Sequence, residues 1–151
     1  GLTAPTDPEM SVILGEYRAY YDAHCAEQTA LYPGMREWLD HLASRGVAMA
    51  VLSNKPVAAS ISILRALDAE RYFSVIAGPE TTGTLKPDPA GVALVLGSMG
   101  CPEVETLLVG DSFVDIETAR NAGVSSCGIT GGIGDDAALR ASAPDYLIER
   151  A

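Results

Sequence analysis

No stretch of the 151-residue chain is apolar for the length a bilayer requires, and no basic leader precedes an apolar run. The expectation is a soluble protein with no membrane partner and no surviving targeting signal, and with it a cytoplasmic location. Clusters of Lys and Arg are missing too: 10 basic residues stand against 20 acidic ones, a formal charge of −10. That balance argues against nucleic acid and an anionic membrane surface as main partners, because both are repelled without a concentrated basic patch. Metal-binding cysteine patterns are also absent. Cys25, Cys101 and Cys127 are far apart and fall outside any C-x-x-C or Cys/His spacing, so they read as small buried hydrophobes rather than zinc ligands. His24 and His41 have no partner at ligand spacing and are expected on helix surfaces. There is no internal repeat and no low-complexity segment. The chain opens Gly1-Leu2-Thr3 without an initiator methionine, which reads as a fragment, a processed product or a cloning scar.

What the chain does have is 48% hydrophobic residues, enough for one globular domain or one domain with a small appendage. After a turn-rich opening at Pro5 to Pro8, residues Met10, Ile13, Leu14, Tyr17, Tyr20 and Tyr21 recur at helical spacing and predict an amphipathic helix from Glu9 to about Ala30. Pro33-Gly34 breaks the chain. Met35, Trp38, Leu39 and Leu42 then mark a second helix to about Ser44, closed by Gly46, with Trp38 in its core-facing stripe. Beyond it, short apolar runs alternate with helical patterns. Strands are predicted at 47–52, 73–77, 107–109, 126–129 and 146–148. Helices are predicted from Pro56, where Val57, Ile61, Leu64 and Leu67 face inward, and over 89–99, 115–122 and 137–141, with a Gly/Thr-rich loop leading to Lys86. This alternation implies an α/β fold, a three-layer Rossmann-like parallel sheet with right-handed crossovers. The first helix lies outside the alternation.

Three polar sites follow these apolar runs, and a doubly wound sheet brings all three to one edge. At Ser53-Asn54 a hydroxyl, an amide and the free N–H groups of a starting helix form a cradle for phosphate, although such a pair by itself is also an ordinary turn. At Lys86-Pro87-Asp88-Pro89 proline confines Lys86 to extended backbone, a stiff stalk for an ammonium that can neutralise phosphoryl oxygens, while Asp88 can cap the next helix. The plainer reading is a solvated lysine. At 107–115 an apolar run stops at Gly110-Asp111, with Asp115 four residues on. Two carboxylates at the end of a buried strand suit magnesium, which takes a few carboxylate oxygens together with waters and substrate phosphate. Helix capping is the alternative for both.

In this order, Ser-Asn, Lys-Pro and Gly-Asp-x-x-x-Asp resemble motifs two, three and four of the haloacid dehalogenase superfamily, over most of 31–151. The stretches at 50–56, 85–89 and 109–115 look most like its phosphoglycolate phosphatase branch. The resemblance implies a Mg²⁺-dependent phosphatase acting on a small phosphorylated metabolite, in which an aspartate attacks the phosphoryl group and water hydrolyses the aspartyl-phosphate. By the same resemblance Ser53 and Asn54 hold the phosphoryl group and Lys86 offsets charge on it. Asp111 binds Mg²⁺, and Asp115 supports the metal or Lys86.

The superfamily's first motif, Asp-x-Asp-x-Thr after an N-terminal strand, is absent: the early candidates Asp7 and Asp22 follow no strand. In the superfamily that strand lies between those ending here at Leu52 and Val109, with a helical cap inserted just after it. The expectation is therefore that residues 1–30 are the C-terminal part of a cap, that 31–151 are a core lacking its first strand, and that this chain alone does not turn over substrate. Three rival readings stand beside this one. A dehalogenase shares the Ser-Asn and lysine sites but typically lacks the metal-binding aspartate of Gly110-Asp111. A phosphosugar mutase of the superfamily is the second, and a non-catalytic fragment retaining an anion site the third.

Overall fold

A computed structural model describes residues 8–149. Asp7 and most of the turn expected at Pro5 to Pro8 lie outside them. The first helix, α1 (Pro8–His24), ends earlier than its periodicity predicts, and the chain runs on to Tyr32 without further helix. Its Met10, Ile13, Tyr17 and Tyr20 stay exposed. Helix α2 (Met35–Ser44) follows, with Leu39 alone fully buried. Trp38, expected in the core, is 37% exposed. The reason is that the face carrying it borders an open cavity rather than a packed layer.

From there the chain alternates as predicted: β1 (Ala50–Leu52), α3 (Val57–Ala66), β2 (Val75–Ala77), α4 (Pro79–Thr82), α5 (Ala90–Met99), β3 (Leu107–Gly110), α6 (Phe113–Ala122), β4 (Ser125–Ile129), α7 (Asp136–Ala141) and β5 (Tyr146–Ile148). Helix α4 was expected as loop; one turn is too short to show a hydrophobic period, and it forms because Pro79 opens it while the Thr81 hydroxyl accepts from the Gly78 N–H at 3.0 Å. Asp88 does cap α5, its carboxylate accepting from the Ala90 N–H at 2.8 Å. Of the cysteines only Cys127 is buried; Cys25 and Cys101 are partly exposed. No helix among the described residues is long and apolar enough to cross a membrane.

All strand pairs are parallel, but they form two sheets, β1-β2 and β3-β4-β5. Helix α5 links the two halves, touching β1 and β2 on one side of the break and α6 on the other. Its Val92 and Leu96 form a buried cluster with Ala119 and Val124, against which Leu52 of β1 and Leu108 of β3 pack. Between β1 and β3 no strand intervenes among the described residues. Residues of both strands instead line one largely apolar cavity of about 750 Å³, which Trp38 and Leu39 also face.

Candidate functional site

The carboxyl ends of β1 and β3 carry the polar groups. After Leu52 the Ser53 N–H still pairs with the Ala77 carbonyl at 3.0 Å, so Ser53 is fixed by the sheet. Its hydroxyl oxygen accepts from the Lys55 N–H at 3.0 Å, leaving the hydroxyl proton available to an incoming oxygen. Asn54 reaches across to the second polar loop, that of Lys86. Its Nδ2 donates to the Lys86 carbonyl at 3.1 Å and its Oδ1 accepts from the Lys86 N–H at 2.7 Å. That pair of bonds clamps the backbone of Lys86, which precedes a cis Pro87.

Lys86 Nζ in turn lies 2.6 Å from Asp115 Oδ1, the side chains being 16% and 8% exposed. Asp115 Oδ2 accepts from Ser112 Oγ at 2.6 Å and from the Ser112 N–H at 3.2 Å, which also closes the first turn of α6. Gly110 is required just before this point, because a Cβ there would overlap the Asp115 carboxyl group. Asp111 stands beside it, its Oδ2 accepting from the Ile133 N–H at 2.8 Å. Direct bonds thus join Asn54, Lys86 and Asp115 to one another, Asp111 is bonded separately to the loop after β4, and Ser53 adjoins Asn54. Asp111, Gly110 and Lys55 also line a second cavity, of about 590 Å³, together with Tyr32 and Gln28.

The residues around Asp111 suit a hard cation. One of its oxygens is held by an N–H, and the other has no hydrogen-bond partner among the described residues. Gly132 packs directly against this side chain, and a Cβ there would overlap the Asp111 carboxyl group. No group of three or more His, Cys, Asp or Glu residues converges on one point among the described residues, so any cation here would complete its shell with water and substrate oxygens, as Mg²⁺ commonly does. Both oxygens of Asp115 are already engaged, by Lys86 and Ser112. Lys86 is a fixed ammonium beside the same edge, where it can offset charge on a phosphoryl group.

Sequence reasoning missed Ser112 and the Ile133 N–H. Ser112 carries a detectable signal, a hydroxyl residue three positions before Asp115 at a helix start. Ile133 carries none in its side chain, which is 92% exposed; only the run of glycines around it hints at a backbone that comes close to something.

The sequence pattern of the haloacid dehalogenase-like hydrolases matches residues 4–129. Phosphoglycolate phosphatase of Pectobacterium atrosepticum is 36% identical over 146 residues, 97% of this chain and 62% of that protein. The Escherichia coli K12 phosphoglycolate phosphatase is 32% identical over 145 residues, 96% of this chain and 58% of that one. The chain therefore spans about three-fifths of the length of these relatives. Among solved structures, a predicted phosphoglycolate phosphatase from Haemophilus somnus superposes with a TM-score of 0.89 at 30% identity, over 97% of this chain and 65% of the other.

Proposed function

Because this chain belongs to the haloacid dehalogenase-like hydrolase family, we propose that the whole protein is a cytoplasmic Mg²⁺-dependent phosphatase of small phosphomonoesters, with phosphoglycolate the leading substrate. The observation that carries this reading is the bonded chain Asn54–Lys86–Asp115, which ties the polar loop after β1 to the start of α6 and so to the loop that carries Asp111. Residues 31–151 are the core, and residues 1–30 the C-terminal part of a helical cap. The slot between β1 and β3 is the place of a further strand, which brings the nucleophilic aspartate and receives the phosphoryl group as an aspartyl-phosphate.

In this reading Ser53 donates its hydroxyl proton to a phosphoryl oxygen, while the first N–H of α3, that of Val57, is taken by Glu80 Oε2 at 3.1 Å and adds nothing to the cradle. Asn54 keeps the Lys86 backbone in place. Lys86 lays its ammonium against the charge that spreads over the phosphoryl oxygens in a loose transition state. Asp115 holds that ammonium in position. Asp111 holds Mg²⁺, which when bound neutralises phosphoryl charge and orients the group for in-line attack. Such charge stabilisation accounts for most of the catalysis in phosphoryl transfer.

The test is phosphate release by the whole protein from a panel of small phosphomonoesters, phosphoglycolate among them, with and without Mg²⁺. Turnover that needs Mg²⁺ and falls by about 10²-fold or more in Asp111→Asn is the expected outcome. Full activity of that variant would overturn the assignment of Asp111.

A further inference from the structure

The loop after β4 reads Thr130-Gly131-Gly132-Ile133-Gly134, and it closes over Asp111 in a way that none of the three motifs requires. A Cβ built on Gly132 would overlap the Asp111 carboxyl group, and one on Gly134 would overlap the Asp111 carbonyl oxygen. The loop backbone therefore touches Asp111 at both its side chain and its main chain. Packing of the loop's own side chains does not account for this approach, since Ile133 is 92% exposed. What the loop does present is the Ile133 N–H, 2.8 Å from Asp111 Oδ2. At its far end the loop is tied down by Asp136, the first residue of α7, whose Oδ1 and Oδ2 accept from the Gly131 N–H at 2.9 and 3.2 Å.

We infer that this loop is a positioning device for Asp111: its Ile133 N–H takes Oδ2, fixes the plane of the carboxylate, and turns Oδ1 toward a divalent cation. The inference rests on the reading of Asp111 as a cation ligand. Its physical basis is that a carboxylate with one oxygen pinned binds with less loss of freedom, and groups that orient a ligand from behind are worth roughly 10- to 100-fold in metal affinity. A glycine on each side of Ile133 is needed because only a bare backbone can approach this closely. The device favours Mg²⁺ over Ca²⁺, because Mg²⁺ demands near-ideal octahedral geometry whereas Ca²⁺ tolerates displaced ligands.

The test is calorimetric titration of the chain with Mg²⁺ and, separately, with Ca²⁺, alongside urea unfolding of each variant. Gly132→Ala pushes on Asp111, and Ile133→Pro removes the N–H; each is expected to weaken Mg²⁺ binding by roughly 10- to 100-fold and Ca²⁺ binding by much less. Ile133→Ala keeps the N–H and restores the Mg²⁺ affinity that Ile133→Pro loses. Unchanged Mg²⁺ affinity in Gly132→Ala and Ile133→Pro, while Asp111→Asn abolishes it, overturns the loop's role and leaves Asp111 as the ligand. Equal loss for both cations in step with a lowered urea midpoint also overturns it, by reducing the loop to a structural brace. Unchanged binding in Asp111→Asn removes the ligand itself, and the inference falls with that reading.

Discussion

Lys86 and Asp115 illustrate how one residue pair can serve the site and the fold together. The two charges meet at 2.6 Å with little exposure, and Asp115 is further held by two donations from Ser112. Breaking such a pair strands a charge away from water, which costs about 3–5 kcal/mol for buried pairs, whereas the net worth of the intact pair is small. Lys86→Met is therefore expected to destabilise the chain by about 3 kcal/mol, the lower end because Lys86 keeps some contact with solvent. In an Asp115→Asn background the same change costs much less, since no carboxylate is left unpaired. Urea unfolding of the four proteins of this double-mutant cycle measures the difference, and additive losses would refute the account. Residues of this kind were legible in the sequence because their side chains are polar: Ser53, Asn54, Lys86, Asp111 and Asp115 all stand out just after apolar strands or in the loops that follow them. Ile133 was not, because what it contributes is an N–H that every residue but proline possesses.

Strands β4 and β5 show the corresponding logic one level up. Both are short, and beside their ladder they are joined by Asp145, whose Oδ2 accepts from Ser126 Oγ at 2.7 Å and from the Ser126 N–H at 2.8 Å. The Ser126 hydroxyl, and after it the Ser126 N–H, hold the Asp145 carboxyl below the usual carboxylate range. A group whose folded pKa is depressed stabilises the fold above its unfolded value, near 3.9 for aspartate, and loses that contribution as pH falls through the lower folded value. Acidification from pH 5 to pH 3 should therefore cost the wild type more stability than Asp145→Asn, which cannot titrate. Parallel urea midpoints for the two proteins across that range would sink the idea. Elements themselves were readable wherever a period repeated, and so every strand and the main helices were placed. Their ends were not: α1 stops at His24, where the Glu27 N–H turns back to the His24 carbonyl at 3.1 Å, and α4 is a single turn that hydrogen bonds rather than hydrophobic spacing define.

At the scale of the molecule the decisive feature is the break between β1 and β3. Two parallel sheets, each with an open edge, border a cavity of about 750 Å³ lined by apolar side chains. Unpaired strand edges of this kind are costly in an apolar setting and ready to accept a strand. The absence of Asp-x-Asp-x-Thr made such a gap foreseeable from the sequence, while the exposure of Trp38 beside it was not, because a helical stripe cannot tell a packed face from an open one. A strand entering here would be buried on both faces and hence continuously apolar, and lying parallel to β1 and β3 it would deliver its carboxyl end beside Ser53 and Asp111. A synthetic peptide of about six apolar residues followed by Asp-x-Asp-x-Thr has the length of an ordinary strand. Added at a hundred times its Kd, such a peptide should stabilise the chain by about 2.7 kcal/mol, read as a rise in the thermal midpoint that grows with peptide concentration. The same residues in reversed order would place the carboxylates at the wrong end and should give a smaller rise. Equal shifts from the two peptides would mean that the slot collects apolar chain without pairing it, and no shift from either would close the slot altogether.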